Sequence, residues 1–115
     1  MAKDRKEVRV VKGHSSESET PLIVRSGEVL TFERRPTSWE GWIWCIDAAG
    51  NATWVPENWG SIEESSIKMI RDYDSMELTI RPGDEFEIYE KESGWAYGKS
   101  SSGEVGWVPL ACLDI

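Results

Sequence analysis

The chain has 115 residues, and its 21 Asp and Glu outnumber 13 Lys and Arg to leave a net charge of −8. An acidic surface repels phosphate backbones, which argues against nucleic acid or an anionic membrane as a partner. One histidine and two cysteines are too few for a multi-histidine metal centre or a disulfide framework, so no cofactor is expected and both thiols read as reduced packing residues.

No stretch approaches the ~20 apolar residues that span a bilayer. Residues 1–7 are a charged arm with no apolar run behind them, unlike an export signal. The expected location is therefore cytoplasmic.

In chain order, residues 8–11 alternate as a strand does and lead into a polar loop, 14–21, that ends in Leu22-Ile23-Val24. A tight turn at 25–28 uses Gly27 for its positive φ. The strand at 29–32 follows, then a long loop carrying Trp39, then the tryptophan strand 42–46. A glycine-bearing hairpin returns the chain through Trp54-Val55-Pro56, where proline ends the strand because it has no N–H for the ladder. Residues 57–59, and likewise 110–112 further on, read as a helical turn before a last short strand. Helical periodicity is absent almost throughout, and only 62–70 admits a further turn.

From residue 67 the order begins again. A strand at 67–70, a shorter loop at 72–77, Leu78-Thr79-Ile80, a turn at 81–84 and a strand at 85–89 lead to Trp95-Ala96-Tyr97 and then Trp107-Val108-Pro109. Gly41-Trp42, Gly50 and Trp54-Val55-Pro56 recur 53 positions later as Gly94-Trp95, Gly103 and Trp107-Val108-Pro109. Such self-similarity is the mark of an internal duplication. The expected organisation is the arm 1–7, a first unit 8–62, a linker 63–66 and a second unit 67–115.

The order strand, polar loop, Leu-x-aliphatic, turn, strand, Gly-Trp, hairpin glycine, aromatic-Val-Pro resembles the Src-homology-3 family, in the style of its bacterial or archaeal relatives. The resemblance covers both units and implies an all-β fold of two small five-stranded barrels in tandem. It also implies a non-catalytic module whose aromatic groove holds a proline-rich strand in polyproline II form. In the first unit it assigns Trp42, Pro56, Asn58 and Trp59 to the groove. His14, Glu17 and Glu19 come from the first strand and its loop, where Lys12 and His14 fill the family's tyrosine positions. In the second unit it assigns Tyr73, Glu77, Trp95 and Pro109, with Arg71 replacing a tyrosine and Cys112 standing where Trp59 stood. The first unit thus reads as the better groove. The implied partner is a protein or peptide of proline or aliphatic and basic character, paired to the loop acids.

Catalysis has little to stand on, because there is no phosphate-cradling glycine loop and no nucleophile motif. Two other readings compete with peptide binding. One is a structural role in which the tryptophan-rich faces pack between repeats or in a homodimer. The other is a cell-wall or glycan binder, since aromatic platforms also stack on sugars.

Overall fold

The computed structural model describes residues 6–16, 21–36 and 39–115. They form two compact units, and these do not follow the duplication. One unit is the continuous stretch Pro21–Ser75; the other joins Met1–Thr20 to Met76–Ile115. The continuous unit is called the inner unit below and the discontinuous one the outer unit, by their places in the sequence.

The inner unit is built from β2 (Ile23–Val24), β3 (Val29–Glu33), β4 (Trp42–Ile46), β5 (Ala52–Pro56), β6 (Gly60–Glu63), β7 (Ser66–Met69) and β8 (Tyr73–Asp74). Five of these make an antiparallel sheet in the order β5-β4-β3-β7-β6, while β2 and β8 pair separately. Period-two alternation sends Leu30, Ile43, Cys45, Val55, Ile67 and Met69 to the buried face. Trp44 and Trp54 lie directly opposite each other on the other face, with ring centroids 5.2 Å apart and edge-on. Arg35 covers Trp44, its guanidinium carbon 4.7 Å from the ring centroid, and is itself paired to Glu33 at 2.9 Å.

The outer unit takes β1 (Lys6–Arg9) from one end of the chain and β9 (Glu85–Glu92), β10 (Trp95–Ser100) and β11 (Val105–Pro109) from the other. They form a four-stranded sheet in the order β1-β9-β10-β11. Its core gathers Val8, Val10, Leu78, Ile80, Phe86, Ile88, Ala96, Val108, Cys112 and Leu113. The segment 76–78 lies along the free edge of β11. There the Trp107 N–H donates to the Met76 carbonyl at 2.9 Å, and the Leu78 N–H donates to the Trp107 carbonyl at 3.0 Å.

The exchange between repeats is reciprocal. β1, the first strand of repeat one, pairs with β9 of repeat two; β7, the first strand of repeat two, pairs with β3 of repeat one. Equivalent hydrogen bonds hold both strands in place. Val10 donates to the Asp84 carbonyl and accepts from Gly83, while Met69 donates to Glu28 and accepts from Gly27. Val11 donates to the Cys112 carbonyl as Ile70 does to that of Trp59. The expected boundaries 8–62 and 67–115 therefore differ from the compact units. Residues 63–66, expected as a linker, belong to the β6–β7 hairpin, where Glu64 takes a left-handed φ of 53°. The turn allowed at 62–70 is this same hairpin and contains no helix.

Closed five-stranded barrels are not formed. The inner sheet ends at β5 and β6, the outer at β1 and β11, and among the described residues only isolated bridges extend beyond these ladders. The break after β5 and β11 has a local cause. Pro56 and Pro109 cannot donate to a ladder, and each is followed by a 3₁₀ turn, Glu57–Trp59 or Leu110–Cys112, that redirects the chain. Both turns were legible in the sequence.

The two cores fill their volumes differently. A Cβ on Gly98 would run into the Glu87 carbonyl and lie 2.9 Å from the Phe86 ring, at a point where β9 and β10 shift register. The inner unit has the smaller Leu30 and the larger Cys45 at those places. Conversely, Gly60 leaves room for Ile67, whose Cδ1 would sit 2.6 Å from an added Cβ. The outer unit there sets the smaller Val8 with the larger Leu113.

Candidate peptide-binding site

Strand exchange sorts the expected site residues into new company. In the inner unit Trp42 stands opposite Pro56 across β4 and β5. Pro56 is buried and opens the 3₁₀ turn, in which Asn58 is exposed and Trp59 is buried. Trp59 meets Tyr73 edge-on, with centroids 5.7 Å apart. The Tyr73 hydroxyl donates to the Trp54 carbonyl at 2.8 Å. Five of the residues implied for the groove (Trp42, Pro56, Asn58, Trp59 and Tyr73) therefore belong to one unit, with Tyr73 supplied by the other repeat.

Exposure qualifies their roles. Trp59 is 5% and Tyr73 4% exposed, so both are largely covered, whereas Trp42 is half-buried. Part of that cover is Arg71, whose guanidinium carbon lies 3.6 Å from the Trp59 ring centroid. Nearby acids are engaged. Asp72 accepts from the Ser26 N–H at 2.8 Å, Glu28 from the Arg25 N–H at 3.1 Å, and Glu57 pairs with Arg34 at 3.4 Å. Trp39, in the loop before β4, is 38% exposed.

The outer unit repeats the frame with other chemistry. Trp95 stands opposite the buried Pro109. His14 fills the place Tyr73 holds in the inner unit and meets Trp95 edge-on, centroids 5.6 Å apart. Its Nε2 lies 3.1 Å from Glu77 Oε1. Cys112 replaces Trp59; burial raises its pKa while the charge of Lys12 opposes the rise, and its thiol points at the Gly13 carbonyl 3.8 Å away. Cys45, on the buried face of β4, is pushed by burial up to about 12. Both cysteines are free thiols.

His14 thus keeps company with Trp95 and Glu77, and the expected grouping of His14 with Trp42 does not occur. Glu17 and Glu19 lie outside the described residues. Glu77, the remaining acid expected to pair with a basic ligand, already faces His14. Two features escaped sequence reasoning: the Arg71–Trp59 stack and the Arg35–Trp44–Trp54 ladder. The first could not be found without the partner of β7. The second had a signal, since Trp44 and Trp54 flank one hairpin at positions that share a face.

Among the described residues no three His, Cys, Asp or Glu side chains gather as a metal site, and no helix is long and apolar enough to cross a membrane. Residues 72–110 match the SH3 domain family. The match lies within the second repeat, so it starts just before β8 of the inner unit and runs through β9, β10 and β11 of the outer one. No curated protein and no solved structure matches the chain.

Proposed function

We propose that the protein is a non-catalytic binding module for an extended peptide or protein segment of proline or aliphatic character. The inner unit carries its principal site. Trp42 forms the accessible wall, Asn58 offers polar contact at its rim, and the buried Pro56, Trp59 and Tyr73 support it from behind. The observation that carries this reading is the gathering of these side chains from both repeats around one 3₁₀ turn. The SH3 match over 72–110 supports the class of function. A peptide already near polyproline II form loses little entropy on binding, and flat aromatic faces suit its ridges.

In the same reading the chain is a tandem of two SH3-like units of bacterial or archaeal type, and Trp95, Pro109, His14 and Glu77 form a second, divergent site. The test is a titration of the ¹⁵N-labelled full chain with a proline-rich peptide array's strongest binder. Trp42→Ala is expected to abolish the shift changes while the remaining spectrum keeps its native dispersion. Unchanged binding by this variant would remove the assignment.

The burial of Trp59 and Tyr73 favours a second reading, in which the aromatic cluster is structural. That reading expects Tyr73 and Trp59 substitutions to cost stability and leave no binding activity to lose.

A further inference from the structure

A row of three side chains crosses the outward face of the inner sheet. Glu33 on β3 stands directly opposite Trp44 on β4, and Trp44 stands directly opposite Trp54 on β5. A carboxylate and two half-buried indoles are thereby set side by side. The row already holds a cation. The guanidinium carbon of Arg35 lies 4.7 Å from the Trp44 ring centroid, and its Nε and Nη2 each lie 2.9 Å from Glu33 Oε1. An aromatic face and a carboxylate that converge on one point both attract positive charge, and a planar guanidinium suits them best.

Arg35 comes from just beyond the end of β3, where nothing packs it down: its side chain is 48% exposed and that of Glu33 52%. Ion pairs so open to water are weak, so the cation on this row is exchangeable. The outer unit keeps the row and changes its cover. Glu90, Tyr97 and Trp107 are cross-strand partners in the same order, and Tyr89 meets the middle ring with centroids 6.3 Å apart.

We propose, resting on the peptide-binding reading above, that Glu33, Trp44 and Trp54 form a subsite for an arginine of the ligand, with Arg35 as its resident competitor. Trp42 and Trp44 alternate with the buried Ile43 and so share one face of β4, about 7 Å apart along the strand. A polyproline II chain advances about 3.1 Å per residue. An arginine roughly two or three residues from the apolar residue on Trp42 therefore reaches Trp44. On binding, the ligand's guanidinium takes the indole and the carboxylate, and Arg35 turns out to water. The net charge of −8 favours the approach of such a peptide.

The experiment uses the full chain and two kinds of probe. Acetyl-arginine amide and its neutral citrulline analogue are titrated while the indole N–H signals of Trp44 and Trp54 are followed by NMR, in the native chain and in Arg35→Ala. Pro-x-x-Pro peptides carrying Arg or citrulline at the stated spacing are measured by fluorescence anisotropy. The arginine probe is expected to shift both indole signals, more strongly in Arg35→Ala, and citrulline to leave them in place. Arg peptides should bind roughly fivefold better than their citrulline twins, and Glu33→Gln should remove most of that preference. Arg35→Ala should strengthen the Arg peptides roughly threefold, whereas Arg81→Gln, which removes the same charge from the outer unit, should not. Equal binding of Arg and citrulline peptides, or an Arg35→Ala variant that gains no more than Arg81→Gln, overturns the inference. If Trp42→Ala still abolishes binding in that case, the peptide-binding reading stands without it. If no peptide binds but the arginine probe alone moves the two indoles, the cation subsite stands and that reading falls. Indoles that answer neither probe, with no peptide bound, remove both.

Discussion

The hydroxyl of Tyr73 donates to the backbone carbonyl of Trp54 at 2.8 Å, and so ties the second repeat to the hairpin of the first. Tyr73 is 4% exposed, which makes this a buried polar contact whose loss leaves a carbonyl without its donor. Tyr73→Phe keeps the edge-on ring contact with Trp59 and deletes only the hydroxyl. It is expected to lower stability by about 1–2 kcal/mol. Urea unfolding followed by tryptophan fluorescence measures this, and an unchanged midpoint would contradict the role given to the bond.

Fragments report on the strand exchange. A piece covering 21–75 contains every strand of the inner unit, including β7 against β3. It is expected to unfold cooperatively on its own. A piece covering 8–62 follows the duplication but lacks Ile67 and Met69, two fully buried residues, and leaves the inward side chain Leu30 on an open edge. It should give a poorly dispersed NMR spectrum. The opposite pattern would contradict the pairing of β7 with β3.

Gly60 and Ile67 share a tight space. Gly60→Ala places a methyl against the Ile67 side chain, with the Lys68 carbonyl 3.1 Å away. The expected cost is about 1–3 kcal/mol. Adding Ile67→Val removes the Cδ1 atom and should recover part of the loss, so the two substitutions are non-additive. A double-mutant cycle by chemical denaturation reads the coupling directly.

Cys45 gives the fold an alkaline weakness. Its thiol ionises near 9.0 when unfolded and only at about 12 when folded. The folded state therefore holds a proton that the unfolded state releases between these values. The contribution is fully present below pH 9 and is lost progressively as pH rises towards 12. Cys45→Ala should flatten the fall of the urea midpoint between pH 9 and 11, whatever it costs at pH 7. In the native protein at pH 8 the thiol should react with a disulfide reagent only as fast as the chain opens.

Local chemistry was legible in the sequence, and partnership was not. The Gly-Trp strands, the prolines that end β5 and β11, and the turns 57–59 and 110–112 follow from residue types a few positions apart. The destination of β1 and β7 does not. Val8-Arg9-Val10 and Ile67-Lys68-Met69 present the same apolar alternation, so either fits either sheet, and nothing local says which repeat receives it. Every misplaced site residue traces to that ambiguity. Arg71 looked like an intrusion into a groove with Trp95, but it travels with β7 and β8 to Trp59. Barrel closure failed in sequence reasoning for a related reason: it depends on pairing between chain-distant edges, which short strands and hairpins do not encode.

The continuity of the inner unit has a consequence for biosynthesis. Its ends meet, with Ile23 paired to Asp74 and the Leu22 N–H on the Ser75 hydroxyl at 2.7 Å. It can close as soon as residue 75 has left the ribosome. β1 is made first but has no partner until β9 is made, so the earliest strand of the chain waits through the folding of everything between. A nascent chain with residues up to about 80 free of the ribosome, and the rest still enclosed, would hold a finished inner unit preceded by an unpaired strand. That interval, rather than the finished fold, is when this protein is most open to mispairing with another chain.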